Sequence, residues 1–309
     1  MVEQGHEMSQ QLGLRRVALH PTAPSVVDSP LARTWRRFRR HKLAIAGLIF
    51  VAMIALMGIF APVVAPKDPL KTSLIDSLVP PNTEYWLGTD PVGRDVWSRT
   101  VYSIRVSLSV GIVAVGISLL IALLLGTISG YYGGLVDMVI MRLTDVIMTI
   151  PGLVIIMAAV SVLGPSIYNV MAAIGILGWT SMARLLRAQI LSVRERDYVR
   201  AAKSIGVADW RIMLLHILPN AIAPVLVAAT FGVAGAILTE AALSFLGFGV
   251  LPPTPSWGNM LNAARSFSRL QENPWFWVPP GVMILLTVLA INFIGDGLRD
   301  ALDPRTTVR

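Results

Sequence analysis

The chain has 309 residues, of which 54% are hydrophobic and 14% charged, and its mean hydropathy is +0.66. Soluble domains carry roughly a quarter charged residues, so this composition excludes a water-soluble body of comparable size and points to a bilayer as solvent. The formal charge of +8 raises nucleic acid as a partner, but much of the excess sits in one short arm, Arg33, Arg36, Arg37, Arg39, Arg40 and Lys42, just ahead of the first apolar run. There it reads as a membrane-orientation signal, with lipid and not nucleic acid as the neighbour.

Residues 1–30 are polar, irregular and broken by Pro21, Pro24 and Pro30, and are expected to form a disordered cytoplasmic tail. Residues 31–65 hold the basic arm and a first span, whose apolar run from Leu43 to Val64 exceeds the roughly 7–15 residues of a signal-peptide core and suffices to cross a membrane. The Pro-rich, mixed-charge stretch 66–103 reads as an extracytoplasmic loop. Further apolar runs follow at Ile104–Ser129, Met138–Leu163, Ile167–Leu186, Ala221–Leu246 and Trp275–Ile294. They predict an all-α membrane protein of six transmembrane helices, with a core of five over residues 104–298 and a C-terminus at 299–309.

Even parity puts both termini on one side, and the basic arm makes that side cytoplasmic. The same count places residues 192–220, with Arg194, Arg196, Arg200, Lys203 and Arg211, inside, and residues 248–274 outside. Gly126, Gly130 and Gly134 recur at four-residue spacing, which suits close helix packing; Gly130 to Gly134 equally suits the turn between the second and third spans.

Within the cytoplasmic segment, Tyr198 to Ser204 are helix formers, Gly206 breaks the helix, Asp209 can start another, and Pro219 ends it. Trp210, Met213, Leu214 and Ile217 recur at helical spacing, an apolar stripe too short to span. Such a stripe packs either against the chain's own helix ends or into a groove on another subunit.

Arg200-Ala201-Ala202, then Gly206, then Leu218-Pro219 resembles the signature loop of bacterial ABC importer permeases. The resemblance implies two short helices that dock on an ATPase subunit, with Arg200 standing where the family usually has Glu and His216 where it has Ile. Leu87 to Arg105, Gly133-Gly134 with Asp137, Leu243 to Gly247, Pro252-Pro253 with Trp257-Gly258, and Gly295 to Arg305 resemble the second permease of dipeptide, oligopeptide and nickel importers. Together these matches imply a type I ABC importer permease fold and a chain that forms half a pore beside a second homologous permease. They further imply two ATPase subunits carrying ATP and magnesium, an extracytoplasmic solute-binding protein, and no cofactor on the chain itself.

Charges inside a bilayer are costly and invite scrutiny. Arg142 and Asp145, three apart in the third span, are expected to pair structurally. Glu240, deep in the fifth span without an evident local partner, and Asn292 in the sixth are expected to line the pore or bond between helices. Asp90, Arg94, Asp95 and Trp257 are candidates for an outer mouth. His6, His20, His41 and His216 lack metal-ligand spacing, and no phosphate loop, zinc-protease or nucleophile-elbow motif occurs. An ion-coupled secondary transporter and an intramembrane enzyme are the rival expectations; the first is weakened by the lack of a convincing internal repeat and the second by the missing catalytic sets.

Overall fold

A computed structural model describes residues 30–303, so the tail expectation for 1–29 and the motif residues Pro304 and Arg305 lie outside it. Among the described residues the architecture is entirely helical. Helix α1 (Pro30–Phe38) leads into α2 (Lys42–Ile59) and the short α3 (Ala61–Val64). After a loop containing a 3-10 turn at Leu74–Asp76 come α4 (Val96–Tyr132), α5 (Gly134–Thr149), α6 (Gly152–Leu163) and α7 (Ile167–Val193). A connecting segment holds α8 (Asp197–Ser204), α9 (Asp209–Arg211), a π-helical turn (Ile212–Ile217) and α10 (Leu218–Ala221). Then α11 (Ala223–Leu246), α12 (Trp257–Asn262), α13 (Phe267–Glu272) and α14 (Pro274–Leu302) complete the chain.

Five of these helices, α2, α4, α7, α11 and α14, are long and apolar enough to span, and a sixth span exists if α5 and α6 count together. The sequence predicts one continuous third span, but the two halves meet at 88°. Pro151 is the cause. It has no N–H to donate and disfavours helical geometry at Ile150, which adopts an extended φ of −98° and ψ of 133°. Apolar neighbours on both sides hide this break from a hydropathy count.

Other boundaries shift for similarly local reasons. The second span begins at Val96 and not at Ile104, because an Asp95 carboxylate oxygen accepts from the Ser98 amide at 2.8 Å and caps the helix two turns earlier. The first span breaks at Phe60, one residue before α3, whose first turn carries Pro62. The outer segment 248–274 forms two short helices, α12 and α13.

In lipid, helix association draws on close packing and interhelical hydrogen bonds, since tails are as apolar as leucine. The α4–α7 seam shows it. A Cβ on Gly126 would stand 2.8 Å from the Ala183 carbonyl, one on Gly130 2.9 Å from Ile190, and one on Gly175 2.7 Å from Ile117. Gly134 meets nothing within 4 Å and, like Gly133, has positive φ, so the third member of the glycine series serves the α4–α5 turn. Val110, Ala114, Ala122, Leu186, Ile190 and Ile217 form the core around this seam.

The helices sort the loops to two ends. Phe38 packs with Ala44 and Ala301, and Arg194 bonds the carbonyls of Gly130 and Tyr131, so α1, residues 194–222 and the end of α14 gather at one end. Val96 packs with Met260 and Phe276, which brings the 66–95 loop and α12 to the other.

Candidate functional site

The segment between α7 and α11 is built as a bracket. Arg194 Nη1 donates to the carbonyls of Gly130 and Tyr131 at 3.1 and 3.2 Å, tying the end of α7 to the end of α4. Arg200 Nη2 donates to Glu195 Oε2 at 2.8 Å, and Arg194 reaches Glu195 Oε1 at 3.3 Å. Hydrogen bonding from Arg200 and then Arg194 holds the Glu195 carboxyl below the usual carboxylate range. The departure at Arg200 is thus answered locally, by an acid five residues upstream.

After α8, Gly206 takes a φ of +81° with open space around its Cα, so the demand there is for backbone conformation and not for room. The Tyr131 hydroxyl donates to Asp209 Oδ1 at 2.6 Å and fixes the start of α9. The chain then widens into the π-helical turn, and Pro219 has no N–H to return to Leu215. One extra residue per turn changes which side chains share a face. Ile212 and Ile217, five apart, are both buried, with Val199 and Ala202 beneath them. The stripe expected from 3.6-residue spacing therefore splits: Ile217 turns in, Met213 is half-buried, and Trp210 and Leu214 stay out.

The outward face is apolar. Tyr198, Ile205, Trp210, Leu214 and Leu215 are 41%, 80%, 55%, 50% and 65% exposed, a ridge mounted on a buried base. Beside it an open cleft of about 420 Å³ is lined by Arg194, Glu195, Arg200, Lys203 and Asp209. Ala201 and Pro219 are exposed, and His216 and Leu218 are half-buried. The Asn220 amide donates to the His216 carbonyl at 2.7 Å.

At the opposite end the mouth candidates turn out to be largely internal. Asp90 and Asp95 are 5% and 4% exposed and Trp257 is fully buried, its indole N–H donating to the Thr100 carbonyl at 3.2 Å. Arg94 Nε meets Asp90 Oδ2 at 2.7 Å, and the buried Arg99 approaches the same oxygen at 3.6 Å while donating to the Pro69 carbonyl. These groups clamp the loop to the head of α4, and Asp95 also borders an open cavity lined by Lys67, Asp76, Glu84 and Tyr85. The pattern of charges next to turns carries no signal that separates the two roles. Nearer the surface, the Ser73 and Tyr85 hydroxyls donate to Asp76 and hold its carboxyl below the usual range.

Glu240 has no exposed surface, and contrary to expectation it has a neighbour one turn away: Ser244 donates to Oε1 at 2.7 Å, and Ser107 of α4 reaches Oε2 at 3.4 Å. Arg142 and Asp145 stand 4.0 Å apart with Arg142 80% exposed, while Asp145 accepts from Arg184 of α7 at 2.7 Å. Asn292 is half-buried on α14. Sequence reading missed the tighter bracket: Arg187 of α7 grips Asp137 of α5 through both carboxylate oxygens at 2.5 Å, with Ser129 of α4 donating as well. An acid just past a glycine turn and a base at the end of a later span were the available signal. Among the described residues no group of three His, Cys, Asp or Glu could hold a metal.

Long apolar helices, a broken third span and an exposed apolar ridge at one end are the features of a multi-pass membrane protein. The chain belongs to the binding-protein-dependent transport system inner membrane component family, whose model it matches over residues 122–308, well over half its length. Residues 29–81 match the N-terminal TM domain of oligopeptide transport permease C. The chain is 44% identical to the dipeptide transport system permease protein DppC of Alkalihalophilus pseudofirmus, over 92% of this chain and 95% of that one. It is likewise 44% identical to the DppC of Haemophilus influenzae, over 90% and 95%. It is 40% identical to the oligopeptide transport system permease protein OppC of Bacillus subtilis, over 87% and 88%. A solved amino acid ABC transporter with histidines covers 63% of this chain and 89% of its own, at 20% identity and a TM-score of 0.47. This is thus a multi-pass inner-membrane permease of the ABC importer family, and its all-helical fold agrees with that expectation.

Proposed function

We propose that this permease forms half of the translocation pore of an ATP-driven importer of di- or oligopeptides or related small solutes. A second permease supplies the other half, ATP and magnesium reside on two separate ATPase subunits, and an extracytoplasmic protein delivers the solute. Both termini and residues 194–222 face the cytoplasm. The concentration of Arg36, Arg37, Arg39, Arg40, Lys42 and the bases of 194–211 at one end of the bundle supports that orientation.

The observation that carries the coupling role is the ridge of Tyr198, Ile205, Trp210, Leu214 and Leu215, held outward by the buried Val199, Ala202, Ile212 and Ile217. Large apolar side chains displayed in water on an ordered scaffold are a docking surface. Its base is rigidly tied to α4 and α7 through Arg194 and Tyr131, so a push on the ridge is delivered to the spans. ATP-driven closure of the docked subunits then swings the bundle as a rigid body.

The test is the double variant Trp210→Asp with Leu214→Asp in the assembled transporter. ATP-dependent uptake of a labelled dipeptide is expected to fall more than about tenfold, with loss of ATPase subunits on co-purification, because each charge is placed at the centre of an apolar contact. Unchanged uptake and retained ATPase would refute the coupling role.

A further inference from the structure

The arm ahead of α2 is an ordered helix that holds a fixed place against the last span. Phe38 is buried against Ala44 and Ala301, and a Cβ on Gly297 would meet Ala44 at 2.3 Å and Phe38 at 3.3 Å, so only glycine lets the three segments close up. Arg37 Nη1 donates to the Asp303 carbonyl at 2.9 Å, and His41 Nε2 lies 3.8 Å from an Asp300 oxygen while its Nδ1 caps α2 by accepting from the Ala44 amide. One face of the arm is therefore used up by the protein.

The other face is not. Arg39, Arg40 and Lys42 are exposed and have no acidic partner among the described residues. Trp35 is 53% exposed, stacked on Phe38, and Leu43, the first apolar residue of the span, is also 53% exposed. Lys42 opens a helix apolar enough to span, so these three cations stand at the end of that span, where basic side chains meet the headgroup layer, and Trp35 is carried on the helix just before them.

We propose that Arg39, Arg40 and Lys42 form a binding site for the phosphates of anionic glycerophospholipids, with Trp35 and Leu43 contacting the glycerol and upper acyl region. Guanidinium groups with no carboxylate partner among the described residues, at the end of a spanning helix, are matched by phosphate oxygens, which accept several charge-assisted bonds at once. Lipid held there bridges the first span to the junction with the last. This goes beyond orientation, which needs only cations on one side and no fixed geometry.

Full-length chain purified from membranes and washed in detergent is to be assayed by mass spectrometry for retained phosphatidylglycerol against phosphatidylcholine. The comparison is among wild type, R39Q/R40Q, R39K/R40K and the exposed control R142Q; Arg36, Arg37 and Lys42 remain in all, so orientation is kept. Wild type, R39K/R40K and R142Q are expected to enrich the anionic lipid, and R39Q/R40Q to lose about tenfold of that enrichment. Equal enrichment in R39Q/R40Q, or none in wild type, overturns the proposal. So does loss of a co-purifying acidic subunit from R39Q/R40Q with lipid enrichment intact, which would assign the patch to a protein.

If R39Q/R40Q does not fold, Trp35→Cys carries the test, since the natural chain has no cysteine. A polarity-sensitive dye there is expected to shift to the blue in phosphatidylglycerol vesicles more than in phosphatidylcholine vesicles, and an equal shift in both overturns the proposal.

Discussion

Glu240 sits on α11 with no exposed surface, and its two oxygens gather hydroxyls from its own helix and from α4. In a bilayer those hydroxyls have no water to turn to, so the acceptor is worth most where nothing can replace it. Glu240→Ala is expected to lower stability by about 1–3 kcal/mol, and Glu240→Gln, which keeps one acceptor oxygen, by less than about 1 kcal/mol. Thermal unfolding of the purified chain in mild detergent measures both. Its isolation was legible in the sequence as a lone acid in an apolar run, and the serine at i+4 was visible too. That Ser107, more than a hundred residues earlier, closes the set was not, because only the crossing of α4 and α11 brings it near.

At the scale of elements, glycine position decides how α4 meets α7. Gly126 places its Cα against the Ala183 backbone, and a larger side chain must push the helices apart because a carbonyl oxygen cannot rotate away as a side chain can. Gly126→Leu is expected to cost about 2 kcal/mol or more, whereas Gly116→Leu, on the same helix with no atom within 4 Å of the new Cβ, should leave packing unchanged. Comparing the two by unfolding midpoint isolates the seam from helix propensity, since both remove a glycine from α4. The same scale explains the uneven record of the boundaries. Hydropathy located each span but passed over Pro151 and Phe60, where one residue's backbone geometry outweighs the apolar character of its neighbours.

For the molecule as a whole, α4 has 37 residues and is therefore about 55 Å long, so the loop at its head and the bracket at its foot stand on opposite sides of any membrane it crosses. A cysteine at Lys203 is expected to resist an impermeant maleimide in intact cells and to react in inverted vesicles. Ile75→Cys, at a site 95% exposed, should do the reverse, and labelling of both in intact cells would remove the cytoplasmic assignment on which the coupling role rests. What the sequence alone determined is the part governed by local physics: apolar runs of bilayer length, the end that collects the bases, the glycine that breaks α8, and the resemblance carried by motifs along the chain. Tertiary structure decided the rest, because it depends on which surfaces meet. Packing of the π-helical turn against α8 set which half of the 210–217 stripe turned inward, folding of the 66–95 loop onto α4 buried Asp90 and Asp95, and the meeting of α12 with α4 and α11 buried Trp257, where an open mouth was expected. Burial is a property of neighbours, and distant neighbours are chosen only when the helices assemble.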